Sequence, residues 1–221
     1  MQIIVPIKTL KLAKQRLRHV LQPADRMGLA KAMLRDVLNV VADHNTVNRV
    51  VLVSDDSFAR QLATEFDTEL LLESELQASG LNAVLQKATE SLSPKAKEPL
   101  MVLHGDLPML SAVDIEALSL AYHASRAPTW VIAPDRHGTG TNALLFPVTD
   151  IPRFDFGAMS FRSHVQQADQ RSCSVQETQL EGLRCDIDIP EDLKILASAS
   201  GNRVAPNSRA FLRQCGFEVA S

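Results

Sequence analysis

Short apolar runs alternate along this chain with stretches whose apolar residues recur every three or four positions. The runs read as buried strands and the periodic stretches as helices packed on them. On this basis strands are expected at residues 3–7, 49–53, 69–72, 100–104, 130–133, 143–146 and 183–187, with helices near 24–42, 58–65, 81–91 and 111–123. Such alternation is the mark of a mostly parallel sheet covered on both faces. It weakens after Ala133, where residues 142–147 and 176–180 suggest strands of mixed direction before the sheet is rejoined at Leu183. The fold expected is α/β, a single mixed, mostly parallel sheet flanked by helices. One domain over residues 1–197 would be followed by an extension at 198–221, whose apolar stretch at 210–217 suits a short helix or a partner contact.

The first strand leads into a cationic segment. Leu10, Ala13, Leu17 and Leu21 recur at helical spacing, and Lys11, Lys14 and Arg18 lie on another face of that expected helix. Two readings stand: a solvated amphipathic helix, or a polyanion site at a strand's carboxyl end, where open α/β sheets bind ligands. No glycine occurs between Met1 and Met27, so a Walker-type loop and a dinucleotide fingerprint are both absent there, and side chains would have to contact phosphates.

Composition narrows the class. The 221 residues suffice for one substantial core, and 45% of them are hydrophobic. A net charge of −3 argues against a general nucleic-acid binder, which needs a basic excess. Cys173, Cys185 and Cys215 lack metal-ligand spacing and read as reduced thiols. The N-terminal residues lack a signal-peptide pattern, and no apolar run approaches the roughly 18 residues of a membrane span. A soluble cytoplasmic protein is the expectation.

Four constellations stand at strand ends. In MVLHGDLPML, Asp106 follows a buried strand, and Ser111 with Asp114 forms a capping-box pattern. Asp106 fits either a turn beside proline or a ligand-facing carboxylate. In LRCDIDIPEDL, Asp186 and Asp188 alternate along the expected strand and so share a face, while helix capping is the alternative for Asp188 or Asp192. Magnesium is typically held by one or two carboxylates together with substrate phosphates, so Asp106 and Asp188 with Lys14 nearby suit a metal-and-lysine clamp on a triphosphate. The loop in APDRHGTGTNALLF supplies glycines and threonine hydroxyls, and FDFGAMSFRSHVQQA places Gly157 and Ser160 before an expected helix at 161–168, a position suited to an anion or to ordinary capping. Asp55 and Asp56 read as helix caps. His137 and His164 flank the two loops.

Taken in order, VPIKTLKLAKQRL, SGLNAVLQKA, GDLPML, APDRHGTGTNALLF, FGAMSFRSH and DIDIPEDL resemble the guanylyltransferases of deazaflavin coenzyme F-420 biosynthesis, the CofC family. The resemblance covers roughly residues 1–196. It implies a Rossmann-like, GT-A-like nucleotidyltransferase fold and transfer of GMP from GTP to 2-phospho-L-lactate, phosphoenolpyruvate or 3-phospho-D-glycerate, with release of pyrophosphate. It further implies that Asp106 and Asp188 hold Mg2+, that Lys14 contacts the triphosphate with Lys8 as helper, and that Gly80, Leu81 and Asn82 lie along the nucleotide. The Asn82 amide would offer donor and acceptor to guanine or ribose. Thr141, Gly157 and Ser160 would meet the acceptor's phosphate and carboxylate. One departure is visible: His104-Gly105 precedes Asp106 where a proline and a small residue are expected. Other readings are a nucleotidyltransferase with a different base or acceptor, such as a molybdopterin or a sugar acid, and a nucleotide-binding module without turnover. The tail suits a monomer or a homodimer equally.

Overall fold

Seven strands hydrogen-bond into one sheet in the order β3-β2-β1-β4-β6-β5-β7. The computed structural model describes residues 1–125, 127–201 and 204–220. The strands are β1 Gln2–Pro6, β2 Arg49–Val53, β3 Glu69–Leu71, β4 Leu100–Leu103, β5 Thr129–Pro134, β6 Thr141–Phe146 and β7 Ser174–Glu177. Parallel pairing joins β1 to both β2 and β4, with Ile3 beside Val50 and Met101, and β3 to β2. By contrast β6 runs antiparallel to β4 and β5, placing Leu144 opposite Val102 and Ile132, and β7 returns parallel to β5. The mixed sheet expected after Ala133 is present.

Alternate strand residues feed two cores, because successive side chains on a strand point to opposite faces. On one face Ile3, Val5, Leu52, Met101 and Leu145 pack against helices α1 (Pro23–Val41), α2 (Ser57–Glu65), α4 (Ala112–His123) and α7 (Pro190–Ser198). On the other, Ile4, Val51, Val102, Ile132 and Phe146 meet α3 (Leu81–Leu92) and α5 (Ser160–Gln170). Caps fix where helices begin. Asp56 accepts from the Phe58 amide at 2.9 Å, and Ser111 and Asp114 form the expected capping box of α4.

Helix α8 (Pro206–Gln214) lies on α1. The residue before it, Ala205, has no side-chain acceptor, and the capping carboxylate comes from α1 instead. Buried Asp36 accepts from the backbone N–H groups of Asn207 at 2.9 Å and Ser208 at 2.8 Å, and from the Asn207 side-chain amide. Among the described residues no helix is long and apolar enough to cross a membrane.

Two expectations need correction. Residues 10–21 do not form one helix. Two short 3-10 turns, Leu10–Leu12 and Gln15–Leu17, are interrupted by Lys14 in the left-handed region at φ 51°. Leu10, Leu17 and Leu21 still face the core. Residues 183–187 are not a strand either: the single-turn helix α6 (Glu181–Arg184) gives way to extended chain, which contacts the sheet edge through the Ile187 amide donating to the Asp106 carbonyl at 3.2 Å. Leu183, Cys185 and Ile187 are nonetheless buried in alternation, with the more open Arg184 and Asp186 between them and Asp188 next.

Candidate active site

At the carboxyl ends of β1 and β4 the chain brings together one ammonium and two carboxylates. Lys14 Nζ donates to Asp106 Oδ2 at 2.6 Å and to Asp188 Oδ1 at 2.8 Å, joining segments separated by 92 and 174 residues. The Lys14 side chain is buried and the carboxylates are partly exposed, so the pair opens to solvent on the aspartate side. Burial alone would lower the Lys14 pKa, but Asp106 and Asp188 outweigh it and hold the ammonium above the ordinary lysine value. Burial acts to raise the Asp106 carboxyl, and Lys14 followed by His104 reverses this, so that Asp106 lies below the usual carboxylate range. Asp186, reached by the Asn142 amide at 3.4 Å, is pushed up to about 6 by burial and by the neighbouring Asp106 and Asp188.

Asp188 is itself positioned from behind. Asp192, at the start of α7, accepts from the Asp188 and Ile189 amides at 2.7 and 2.9 Å and pairs with Arg136 from the β5–β6 loop. Capping therefore belongs to Asp192, and the Asp188 side chain turns to Lys14. Among the described residues no three His, Cys, Asp or Glu side chains group into a cage for a metal ion. Two carboxylates with hard oxygen donors fit a cation that takes its remaining ligands from water and substrate phosphates. Asp106 Oδ1 is buried without a protein partner, a spare donor consistent with that fit.

A second cluster lies beside the first. Because β6 is antiparallel, its first residues sit at the same edge as the end of β4, where the His104 amide donates to the Asn142 carbonyl at 3.1 Å. Thr141, buried at the start of β6, is 3.0 Å from His164 Nδ1. The preceding loop is closed on itself by Asp135, which accepts from the His137 and Thr139 amides. Opposite it, Gly157 at φ 142° makes a turn that side-chain-bearing residues rarely adopt, and Ser160 opens α5 with its hydroxyl buried and unpartnered. His104, whose pKa is lowered chiefly by burial, meets the edge of Phe156 at 5.0 Å, and Phe156 in turn meets His164 at 5.1 Å. A buried polar atom left unpaired costs about 1–3 kcal/mol, so Ser160 Oγ, His104 Nε2 and Asp106 Oδ1 falling around this one edge are informative.

The other predicted residues are placed as follows. Lys8 is exposed just beyond β1, close enough to His104 to affect its charge. Gly80, at φ 83°, begins α3, and Leu81 is partly buried. Asn82 corrects an expectation: its oxygen accepts from the Phe156 amide at 2.8 Å and its nitrogen donates to the Phe156 carbonyl at 3.1 Å. The amide thus clasps α3 to the Phe156–Gly157 turn, and its acceptor faces the protein rather than a base. His137 is exposed, whereas His164 is fully buried. Asp55 holds the Ser74 amide and hydroxyl in the first turn of the short 3-10 helix Glu73–Leu76, a remote cap and not one for the helix that follows it in sequence. Asp192 takes the capping place offered for it or Asp188, whereas nothing in the local sequence marked such a role for His104, Phe156 or Arg136; the SFRSH spacing of Ser160 and His164, four apart on one helix face, was the available signal.

Comparison with known proteins gives this geometry a family. The family model described as "Guanylyl transferase CofC like" matches residues 1–221. The chain belongs to the CofC-like guanylyltransferase family. Among curated relatives, a phosphoenolpyruvate guanylyltransferase from Roseiflexus castenholzii is 36% identical over 217 residues, covering 98% of this chain and 97% of the relative. A 2-phospho-L-lactate guanylyltransferase from Methanothermobacter thermautotrophicus is 33% identical, covering 98% and 91%. Solved structures support the fold. One described as a nucleotide-diphospho-sugar transferase from Desulfovibrio desulfuricans has a TM-score of 0.76 at 16% identity, covering 96% of this chain and 94% of that one. A cytidylyltransferase from Leptospira borgpetersenii has a TM-score of 0.59 at 11% identity, covering 100% and 96%. The CofC-like chain thus has the GT-A-like nucleotidyltransferase architecture expected for the family.

Proposed function

We propose that this protein transfers GMP from GTP to the phosphate of a three-carbon phospho-acid, namely phosphoenolpyruvate, 2-phospho-L-lactate or 3-phospho-D-glycerate, as a step of coenzyme F-420 biosynthesis. The observation that carries the reading is the convergence of Lys14, Asp106 and Asp188 beside the hydroxyls of Thr141 and Ser160. One cluster suits a triphosphate and the other suits a small dianionic acid. The family membership and the substrates in the relatives' names support the same assignment.

In the proposed reaction an oxygen of the acceptor's phosphate attacks the α-phosphorus of GTP in line. A new P–O bond forms, the α–β anhydride bond breaks, and pyrophosphate leaves with the bonding electrons. The acceptor is already ionised at neutral pH, so no protein nucleophile is required, and catalysis rests on positioning and charge stabilisation. Lys14 neutralises the triphosphate, assisted by Lys8. Asp106 and Asp188 hold Mg2+, which when bound supplies electrostatic stabilisation of phosphate charge. Gly80 and Leu81 bring the start of α3 along the nucleotide, and Asn82 ties that start to the acceptor side. Thr141, Gly157 and Ser160 receive the acid's phosphate and carboxylate.

The test is pyrophosphate release from GTP and Mg2+ with each of the three acids offered separately, and with CTP and ATP as controls. Release with GTP and one acid is expected. A folded protein that binds GTP yet releases no pyrophosphate with any of the three would overturn the acceptor assignment, and faster release with CTP would overturn the base.

A further inference from the structure

The Thr141 hydroxyl can meet an anion only if its proton points to it. A threonine hydroxyl has one hydrogen and two lone pairs, and which of these it presents depends on what its other neighbour takes. That neighbour is His164, whose Nδ1 lies 3.0 Å from Thr141 Oγ1. The opposite ring nitrogen, Nε2, lies 3.3 Å from the backbone nitrogen of Asp155. An amide N–H donates and has no lone pair to offer, so Nε2 must be the unprotonated nitrogen. Burial keeps the ring neutral by lowering its pKa to about 4, with Asp155 opposing this and His104 adding to it. A neutral imidazole carries one N–H, and here it is left on Nδ1.

The consequence passes to the threonine. Nδ1–H donates to Thr141 Oγ1, and the hydroxyl proton must go elsewhere. Among the described residues no protein acceptor takes it. One turn before His164 on the same face of α5, the Ser160 hydroxyl is buried and likewise unpartnered. We propose that His164 is a positioning residue that fixes the Thr141 hydroxyl as a donor to the anionic acceptor, so that an imidazole without contact to the acid helps select it. This rests on the acceptor assignment made above. The opposite tautomer would turn the same threonine into an acceptor and set a lone pair against a phosphate or carboxylate oxygen.

Two measurements test it. The first needs no substrate: long-range proton–nitrogen correlation on protein labelled with nitrogen-15 histidine, with His164 assigned by its absence from the His164→Asn variant. The Nδ1–H tautomer is expected, and the Nε2–H tautomer overturns the proposal. The second is kinetic. His164→Leu should raise KM for the acid about tenfold or more, as for a lost hydrogen bond to a charged group, with KM for GTP unchanged. His164→Asn, whose amide N–H replaces that of Nδ1, should recover most of the loss. Thr141→Val should match His164→Leu, and the double variant should be no worse than Thr141→Val alone. Losses that multiply in the double variant overturn the relay. If Thr141→Val impairs the acid while His164→Leu does not, the relay alone falls. If Thr141→Val leaves KM for the acid unchanged, the acceptor assignment falls with it.

Discussion

Asp106, partly exposed, and His164, fully buried, are both titratable and belong to the proposed site, yet they are controlled in opposite ways. Asp106 is kept ionised by a neighbouring ammonium, and His164 is kept neutral by burial. Asp106→Asn preserves an oxygen for Lys14 but removes the negative charge, so turnover should fall about a hundredfold or more with the fold intact, as for loss of a preorganised electrostatic group. Initial rates of pyrophosphate release, with circular dichroism as the fold check, decide it. A full rate would remove Asp106 from the site. His164 leaves a mark on stability. Its folded pKa, about 4, lies below the unfolded value near 6.5, so the unfolded chain binds the extra proton in between. The stability it contributes is complete above about pH 6.5 and is lost as pH falls towards 4, by up to about 3 kcal/mol. Urea titrations across that window should show a shallower slope for His164→Asn than for the natural chain. Equal slopes would mean that burial, reinforced by His104 and opposed by Asp155, does not hold the ring neutral.

Elements, more than single residues, show what sequence pattern can and cannot report. Strand β2 was legible with its bounds because VVLV after Arg49 is a continuous apolar run, and α3 and α4 because their apolar residues recur at helical spacing. The misread elements followed the same periodicities. Along 183–188 the alternation of buried and open residues is real, but alternation reports extended chain and not a hydrogen-bonded ladder, and Asp192 takes the amides of Asp188 and Ile189. Along 10–21 the inward positions were right, while a helix through Lys14 was not, because the lysine side chain is turned to two carboxylates whose places in space depend on chain far away. Lys14, Asp106 and Asp188 were legible by motif. The Asn82 clasp and the Arg136–Asp192 pair were not, since each joins segments with no local signal of the contact. Capping of α8 by Asp36 is a similar long-range device. Asp36→Ala would leave buried amides unpaired, and should destabilise the fold by about 2–3 kcal/mol in chemical denaturation, while KM values stay unchanged. A loss below about 0.5 kcal/mol, the scatter of an ordinary surface change, would show the cap to be dispensable.

Over the whole molecule, Lys14 is the point where the N-terminal segment, the turn after β4 and the chain entering α7 are pinned to one another. Its left-handed backbone costs about 1–2 kcal/mol for a residue other than glycine, and the two ion pairs offset that strain. Lys14→Met removes the ammonium and leaves the two carboxylates facing without it. Thermal unfolding should then occur at a lower temperature, and millimolar Mg2+ should raise the variant's melting temperature more than that of the natural chain. An equal response of both proteins would separate the carboxylates from cation binding.

The direction of β6 has a further reach. Since that strand begins at the edge where its neighbours end, Thr141 enters the proposed site from a hairpin loop that lies outside the sheet and is closed largely on itself, through Asp135 and the Thr139 hydroxyl. Replacements in residues 137–140 therefore change the neighbourhood of the proposed acid site without touching Lys14, whereas Arg136 is tied to Asp192 behind Asp188. In the proposed reaction, then, a lineage could exchange one acid for another by rewriting a hairpin tip while inheriting the cluster of Lys14, Asp106 and Asp188.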